Sequence, residues 1–472
     1  MTTLTTRGYG IPKSMLTAEE LTEIKTALMV KPFNAMNTGL GGDDRVDVKS
    51  FPVFLESHSK LYVPKVWGIK RFGLPSEVKL PEADAINIQF TGELRPIQKP
   101  PIDAFLAACA DPSRMGGIIS LACGAGKTVC GLYIISKLKT KTMIVAHKEF
   151  LLDQWKERIE QFLPGARVGV IKASKFDIDD KDIIVASVQS LSMKEYEKRA
   201  LDSIGLIIVD ECHRTGAEVF SRIYRKHNVK YTLGLSATVN RKDGLTKVFK
   251  WHIGDIVYKA KRVKDTLKVA MKEFYVPNQD YCREWVMYNK KPNMAKMINQ
   301  ICAFQPRNVF IAEALRDVLA EELYRKTIIL SDRRQHLETL HDMLTEMGIT
   351  SGFYYGGLKP EELKESEQKQ VLLATFAYSS EGLDVRGLNT MILSTPKSDI
   401  IQSVGRILRD KPEERAYTPL VIDIMDKFSI FPSQARKRMA YYKTQGYDVD
   451  HDKLFDASSI DFSGKCYIQD LG

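Results

Sequence analysis

The sequence predicts an α/β protein in which two tandem parallel-sheet domains follow a small α+β N-terminal domain. The main evidence is that short, almost wholly apolar runs occur in two separate groups. The first group comprises residues 116–122, 141–146, 181–188, 205–210 and 231–237. The second comprises residues 326–331, 352–357, 370–376, 389–395 and 418–425. Runs of this kind, separated by helical stretches, are typical of parallel strands covered by helices on both faces. The chain has 472 residues, of which 44% are apolar, so it is too long to fold around a single hydrophobic core.

Changes in the pattern predict five segments. The N-terminal domain contains one helix that starts at a capping box, Thr17 with Glu20, and several short strand-like runs. The predicted segments are an accessory N-terminal domain at 1–90, a first parallel-sheet domain at 91–260, a linker at 261–304, a second parallel-sheet domain at 305–430 and a helical tail at 431–472.

The net charge of +10 suits a polyanionic partner. Within 60–73, lysines and an arginine alternate with Tyr62, Trp67 and Phe72. This segment is either a nucleic-acid surface, with phosphates on the cations and bases on the rings, or part of an ordinary small domain with surface lysines. No apolar stretch is long enough to span a bilayer and the N-terminus lacks a secretory apolar region, so we expect a soluble intracellular protein without a membrane partner.

Residues 124–128 predict a phosphate-binding loop. Gly124, Ala125 and Gly126 precede Lys127 and Thr128, between an apolar strand and a helix. Glycines allow backbone N–H groups to surround phosphate oxygens, the lysine reaches the β- and γ-phosphates, and the hydroxyl binds Mg²⁺. The strict motif requires glycine at position 121, where this chain has Leu121. The alternative is a purely structural glycine-rich turn.

Two carboxylates follow the apolar strand 205–209. Asp210 is placed to hold Mg²⁺ opposite Thr128, and Glu211 to orient and deprotonate the attacking water. The alternatives are a pair of solvent-facing charges at a strand end, or a zinc site on Cys212 and His213. The seven cysteines include no C-x-x-C pair, which argues against zinc.

Ser236 and Thr238 follow the next apolar strand. Their hydroxyls are placed to couple the nucleotide state to the binding of nucleic acid. The alternative is a simple turn at the end of a strand, which would have the same sequence pattern.

These elements form part of an ordered series that resembles the superfamily 2 helicases of the DEAD/DEAH-box type. The series consists of "LRPIQ" (94–98), "GAGKT" (124–128), "DECH" (210–213), "SAT" (236–238), "ATFAYSSEGLDV" (374–385) and "QSVGRILR" (402–409). Within that superfamily, residues 63–73, 330–340 and 395–410 resemble the XPB-like branch, and most of all the transcript-release helicases of poxviruses and other large DNA viruses.

The resemblance implies two RecA-like domains and a role for each matched residue. Gln98 would read the adenine edge, His213 would couple the two domains, and Gly382 and Asp384 would approach the ribose. Thr375 would contact the nucleic-acid backbone. Gln402, Arg406 and Arg409 would lie on one face of a helix, with both arginines acting on the γ-phosphate. The Arg-Glu-Asp element of the XPB-like branch corresponds to Arg241-Lys242-Asp243 in this chain, and Arg241 would contact nucleic acid. Lys242 departs from the pattern, which has glutamate at this position.

The implied activity is that of an ATP- and Mg²⁺-dependent DNA helicase moving 3′ to 5′ on single-stranded or forked DNA. It would act in viral transcription termination, transcript release, repair or recombination, together with the corresponding machinery. The protein would be located in the cytoplasm or nucleus of an infected host, or in the virion, and a monomer is favoured. The alternatives are a double-stranded DNA translocase that does not separate strands, an RNA helicase, and a regulatory nucleotide-binding scaffold.

Overall fold

The computed structural model describes residues 1–32, 50–121, 124–197, 199–212, 217–237, 244–260, 265–379, 383, 385–410 and 412–452. The chain divides into two compact units, Met1–Arg262 and Val263–Gly472. Across the described ranges, no helix is both long and apolar enough to cross a membrane.

The first unit begins with a small α+β region. Its strands are β1 (Thr3–Thr5), β2 (Gly8–Pro12), β3 (Met29–Val30), β4 (Phe51–Pro52), β5 (Leu55–Glu56), β6 (Lys60–Val63) and β7 (Glu77–Val78), and its helices are α1 (Ala18–Ala27) and α2 (Lys65–Phe72). Five strands form a sheet in the order β5-β6-β2-β1-β7, and β3 pairs with β4. The predicted capping box is present, since Thr17 and Glu20 exchange hydrogen bonds at the start of α1.

Helix α2 is fastened to the rest of the first unit by a buried lysine. The Lys65 side chain is fully buried, and its ammonium donates to the carbonyl oxygens of Val229 at 3.1 Å and Lys230 at 2.9 Å. Elsewhere in the basic–aromatic segment 60–73, Lys70 pairs with the Asp255 carboxylate. Because Lys65 and Lys70 have partners within the protein, the segment is better interpreted as part of an ordinary small domain than as a nucleic-acid surface.

The burial of Lys65 predicts a pH-dependent stability. Burial lowers the pKa of Lys65 to about 7. Between that pH and the ordinary lysine pKa the unfolded chain binds a proton that the folded chain does not, so stability should rise with pH across this window. We expect the free energy of unfolding in urea to rise from pH 7 to 9 for the wild type relative to Lys65→Met, by at most about 1.4 kcal/mol per pH unit. The control Lys70→Met, at an exposed position of the same helix, should keep the wild-type pH profile. A constant difference between wild type and Lys65→Met would contradict the prediction.

The rest of the first unit is an eight-stranded sheet covered by helices. The strands are β8 (Gly116–Ser120), β9 (Thr142–Ala146), β10 (Val168–Lys172), β11 (Lys175–Asp177), β12 (Ile183–Ser187), β13 (Leu206–Asp210), β14 (Tyr231–Ser236) and β15 (Ile256–Lys259). The helices are α3 (Lys99–Ala110), α4 (Lys127–Leu138), α5 (Glu149–Phe162), α6 (Val188–Met193), α7 (Ala217–Lys226) and α8 (Thr246–His252). The strand order is β11-β10-β12-β9-β13-β14-β8-β15, and β11 is antiparallel to β10 while the other pairs are parallel.

Apolar side chains on both faces of this sheet explain why its central strands have no polar alternation. In β13, Leu206 and Ile208 belong to one core cluster, whereas Ile207 and Val209 belong to another. Because successive side chains of a strand point to opposite faces, the two clusters lie on opposite sides of the sheet. The five apolar runs predicted as strands in this domain are confirmed.

The second unit is built on a seven-stranded parallel sheet. The strands are β16 (Lys268–Phe274), β17 (Lys326–Ser331), β18 (Ser351–Tyr354), β19 (Val371–Thr375), β20 (Leu388–Leu393), β21 (Leu420–Asp426) and β22 (Asp448–Asp452). The helices are α9 (Gln279–Cys282), α10 (Met294–Ala303), α11 (Gln305–Glu321), α12 (Arg334–Glu346), α13 (Pro360–Ser366), α14 (Phe376–Ser379), α15 (Ile401–Ile407) and α16 (Phe431–Gln445). The strand order is β18-β19-β17-β20-β21-β16-β22.

Two predicted boundaries of this unit are wrong. The segment 261–304 was expected to be a linker, yet β16 lies inside the sheet, in parallel register with β21 along its whole length. The segment 431–472 was expected to be a helical tail, yet β22 follows α16 and pairs with β16. The reason is compositional: β16 alternates buried and partly exposed residues, and "DVDHD" in β22 is almost wholly polar. Neither strand has the continuous apolar run that marked the others.

Candidate active site

The glycine-rich loop follows β8 and leads directly into α4. Gly124 and Gly126 have φ of +78° and +85°, in the left-handed region where only glycine is unstrained. A Cβ at Gly126 would lie 2.0 Å from the Gln98 side-chain nitrogen. The Gln98 amide donates to the Ala125 carbonyl at 3.3 Å, and the Arg95 guanidinium donates to the Gly124 carbonyl at 2.9 Å. The side chains of Arg95 and Gln98 therefore hold the backbone of the loop in place by hydrogen bonds to its carbonyl oxygens.

Gln98 thus has a structural partner in the loop that the sequence did not indicate. Its side chain is buried, and its carbonyl oxygen accepts the Arg95 backbone N–H at 2.8 Å. The adenine contact assigned to Gln98 remains a prediction. Arg95 was missed altogether, although it lies only three residues before Gln98 in the quoted motif.

The acidic pair lies at the same edge of the sheet as the loop. Asp210 is the last residue of β13, which is separated from β8 by β14, and all three strands run in the same direction. Their carboxyl ends therefore share one edge, where parallel sheets bind ligands. The Lys127 ammonium lies 3.2 Å from the Glu211 carboxylate. The structure therefore brings together two residues that are 84 positions apart in sequence numbering: Lys127, predicted to bind the β- and γ-phosphates, and Glu211, predicted to orient and deprotonate the attacking water.

Asp210 is a buried carboxylate with two hydrogen bonds. It accepts the Trp155 indole N–H at 2.9 Å and the Glu211 backbone N–H at 2.9 Å. Burial, followed by repulsion from the Glu211 carboxylate, raises the pKa of Asp210 above its ordinary value. The two adjacent carboxylates carry more negative charge than the one nearby lysine can neutralise, so a further cation would be favourable here. Mg²⁺ prefers hard oxygen ligands such as carboxylates. Thr128, in the first turn of α4, supplies a hydroxyl of the same kind. The donor set therefore fits Mg²⁺.

Glu211 has an unusual backbone conformation. Its φ is +44°, in the left-handed region that non-glycine residues rarely adopt. Such a conformation costs on the order of 1–3 kcal/mol, and residues that adopt it are enriched at active sites. The turn at Glu211 redirects the chain as it leaves the strand, while the Glu211 side chain meets Lys127.

Trp155 is a positioning residue that the sequence did not reveal. It is buried on α5, and nothing in the local pattern distinguishes it from a core aromatic. Its hydrogen bond lowers the pKa of Asp210 against the larger raising effect of burial. In Trp155→Phe we expect ATP turnover to be a few-fold lower, because Asp210 loses a hydrogen bond that orients its carboxylate. The control Trp251→Phe, on α8, should keep wild-type turnover. Wild-type turnover in Trp155→Phe would show that the indole does not position Asp210.

Ser236 and Cys212 occupy the neighbouring positions of this edge. Ser236 ends β14, is fully buried, and pairs in register with Ser120 of β8. Cys212 is buried in the apolar core. Five further residues that the sequence singled out lie outside the described residues: His213, Thr238, Arg241, Gly382 and Asp384.

The second unit places its predicted residues at strand and helix ends. Thr375 is the last residue of β19 and pairs with Ser331 of β17. Gln402 and Arg406 are buried on α15, and Arg406 donates to the Leu383 carbonyl at 2.9 Å.

One part of the prediction for the second unit is wrong. Gln402, Arg406 and Arg409 were expected to share one helix face, but α15 ends at Ile407, so Arg409 lies beyond the helix. The backbone already leaves helical geometry at Leu408, where φ is −106° and ψ is 14°.

Comparisons with known proteins identify the family to which the chain is similar. Residues 91–241 match the family described as type III restriction enzyme, res subunit, and residues 311–411 match the helicase conserved C-terminal domain. A protein of Acanthamoeba polyphaga mimivirus that is named an ATP-dependent RNA helicase is 34% identical over 458 residues, covering 95% of this chain and 86% of its own length. A protein of African swine fever virus with the same kind of name is 25% identical over 357 residues, covering 70% of this chain and 69% of its own length.

A solved structure supports the fold. Dbp5 of S. cerevisiae, bound to RNA and ADP BeF3, aligns with a TM-score of 0.51 at 13% identity, covering 76% of this chain and 94% of its own. The two sheets, the family matches and the extended similarity to the mimivirus protein lead to one assignment: the chain belongs to the superfamily 2 helicases and is a nucleic-acid-dependent ATPase.

Proposed function

We propose that the protein is an ATP- and Mg²⁺-dependent DNA helicase or translocase that hydrolyses ATP at the edge formed by β8, β13 and β14. The observation that carries the proposal is the approach of the Lys127 ammonium to Glu211, directly beside the buried Asp210 and the glycine-rich loop. These are the groups that phosphoryl transfer requires: positive charge, metal ligands and a base that orients water.

The Lys127–Glu211 ion pair has a specific role in the proposed cycle. Lys127 leaves Glu211 to bind the β- and γ-phosphates when ATP enters, because phosphate oxygens offer it stronger charge-assisted bonds. Glu211 is then free to orient the attacking water and to accept its proton. Asp210 and Thr128 would hold Mg²⁺, which would neutralise charge on the phosphates. We assign Arg406 and Arg409 to the γ-phosphate and Gln402 to support them, as the family resemblance implies.

DNA is the proposed track, with Thr375 as one backbone contact and 3′ to 5′ as the direction. RNA is the second candidate, because the mimivirus and African swine fever virus relatives are named RNA helicases. The net charge of +10 suits either polyanion.

A panel of nucleic acids separates these possibilities. ATPase rates should rise many-fold with single-stranded DNA, and a duplex with a 3′ overhang should be unwound, whereas a 5′ overhang should not. Stimulation by RNA alone would establish the second candidate. Triplex displacement without unwinding would identify a double-stranded DNA translocase, and equal ATPase rates with and without nucleic acid would contradict the whole proposal. A Glu211→Gln preparation controls for contaminating ATPases.

For the biological role, we propose transcript release or transcription termination in a virus-infected cell, with repair or recombination as further candidates. Addition of the protein and ATP to a stalled transcription complex should release the nascent transcript. Release that does not depend on ATP hydrolysis would contradict this role.

A further inference from the structure

The backbone that carries Arg409 lies beyond the end of a helix. Because α15 ends at Ile407, a continuing helix does not set the direction in which the Arg409 side chain leaves the chain. A group that acts on a reacting phosphate has to be held accurately, since a displacement of about 1 Å can lower a rate on the order of 10²-fold. Another part of the second unit must therefore hold this segment.

The Arg415 guanidinium binds the backbone on both sides of Arg409. Its Nε donates to the Asp410 carbonyl at 2.8 Å, and its Nη2 donates to the Leu408 carbonyl at 3.1 Å. The N–H groups of a guanidinium point in fixed directions within one plane, so the two carbonyls are held in one defined arrangement. Arg409 lies between these two fixed points.

Arg415 is itself held by a carboxylate. Its Nη1 and Nη2 donate to the two carboxylate oxygens of Asp265, with an Nη2–Oδ2 distance of 3.0 Å. The Arg415 side chain is only 8% exposed and the Asp265 side chain 22%, so the pair is largely shielded from water. Two-point bonds between a guanidinium and a carboxylate are strong and directional. Asp265 lies three residues before β16, which is paired within the sheet, so the pair ties Arg415 to the sheet.

The Asp410 side chain adds a further fixed point. Its carboxylate accepts the backbone N–H of Gly387 at 3.0 Å, directly before β20. The segment around Arg409 is thus held through two carbonyls and one carboxylate. The four hydrogen bonds of Arg415 use most of its donors, so its role is to hold the segment and not to bind a phosphate.

We propose that Arg415 is a positioning residue for ATP hydrolysis, which holds Arg409 in place and is anchored by Asp265. This inference rests on the proposed function, since it takes Arg409 to act on the γ-phosphate. An arginine that acts on the transferring phosphate contributes on the order of 10³- to 10⁵-fold to turnover. Loss of Arg415 misaligns that arginine and forfeits part of the contribution, whereas the phosphate-binding loop 124–128 lies in the first unit and keeps its own contacts.

The first test compares turnover with ATP affinity in Arg415→Met, which keeps the apolar stem and removes every N–H donor. With the nucleic acid that stimulates the ATPase most, kcat should fall about tenfold. The dissociation constant of a non-hydrolysable ATP analogue, measured without nucleic acid, should stay within about twofold of the wild type, because the affected interaction belongs to the transition state. Wild-type kcat in folded Arg415→Met would overturn the inference.

Arg167→Met is the matched control. Arg167 forms the same kind of two-point ion pair with Asp182, at 3.0 and 2.8 Å, but it does so at the amino ends of β10 and β12 in the first unit. This variant should keep wild-type kcat. An equal loss of kcat in Arg167→Met would show that removing any such ion pair slows the enzyme, and would overturn the specific role of Arg415.

A double-mutant cycle with Arg409→Ala shows whether Arg415 acts through Arg409. If it does, Arg415→Met should lower kcat in the wild-type background and should have no further effect in protein carrying Arg409→Ala. Equal factors in both backgrounds would overturn the inference while leaving Arg409 its assignment. Wild-type kcat in Arg409→Ala alone would instead contradict the role of Arg409 in the proposed function, and the inference with it.

Arg415→Lys keeps the inference falsifiable if circular dichroism shows that Arg415→Met is unfolded. A lysine retains the positive charge opposite Asp265 but does not present the planar set of donors, so this variant should fold and still lose several-fold in kcat. Asp265→Asn, which weakens the anchor, should lower kcat in the same direction by a smaller factor. Folded Arg415→Lys with wild-type kcat would show that charge alone is needed at this position, and would overturn the positioning role.

Discussion

Glu211→Gln is expected to lower steady-state ATP turnover by about 10²- to 10⁴-fold, the range usual for loss of a positioned general base. ATP should bind at least as tightly as to the wild type. The reason is the 3.2 Å ion pair, because ATP must take Lys127 away from Glu211 in the wild type, whereas a neutral glutamine holds the ammonium less strongly. Single-turnover hydrolysis and titration with a fluorescent nucleotide measure the two effects separately.

The control for this variant is Glu160→Gln, an exposed glutamate on α5, which should keep wild-type turnover. Normal turnover in Glu211→Gln would remove the proposed base. A large loss of ATP binding in the same variant would show that Glu211 supports the loop instead of acting on water.

Lys127→Ala should lose most of its affinity for ATP, with the dissociation constant rising on the order of 10²-fold. A hydrogen bond to a charged group contributes about 1.5–3 kcal/mol, which corresponds to roughly 10- to 150-fold in affinity. The variant also loses the ammonium that lowers the pKa of the buried Asp210. The dissociation constant can be measured by isothermal titration with a non-hydrolysable ATP analogue and Mg²⁺.

Lys137→Ala is the matched control, since Lys137 is an exposed residue near the end of the same helix and should keep wild-type affinity. Unchanged affinity in Lys127→Ala would contradict the phosphate-binding assignment. Circular dichroism would show whether Lys127→Ala loses affinity only because it is unfolded. In that case Lys127→Gln, whose side chain is closer to lysine in length, would be measured instead.

The fold class could be predicted because buried parallel strands have a distinct composition. All-apolar runs such as residues 206–209 are required only where both faces of a sheet are covered, so each run marks a strand. The same criterion could not find β16 or β22, because strands near the edge of a sheet tolerate polar residues. The place of β16 in the sheet depends on β21, which is distant in sequence, and the place of β22 depends on β16.

The site could be predicted where its geometry is local. Lys127 and Thr128 follow the loop directly, and Asp210 and Glu211 follow one strand, so adjacency in sequence already sets much of the arrangement. Trp155 could not be found, because its contact with Asp210 depends on how α5 packs against the sheet. The wrong helix face assigned to Arg409 has a similar origin, since a periodic pattern does not show where a helix ends.

The position of β16 also bears on how the chain folds as it leaves the ribosome. The eight-stranded sheet is complete once β15 has been synthesised, so the first unit can fold while the remainder is still being made. β16 emerges next, but its partners β21 and β22 are among the last strands to be translated. Until then the apolar residues Val269, Met271 and Phe274 remain uncovered beside an unpaired strand edge, which is a site for aggregation and for chaperone binding. Slow translation after β16 should therefore lower the yield of folded protein more than a pause after β21.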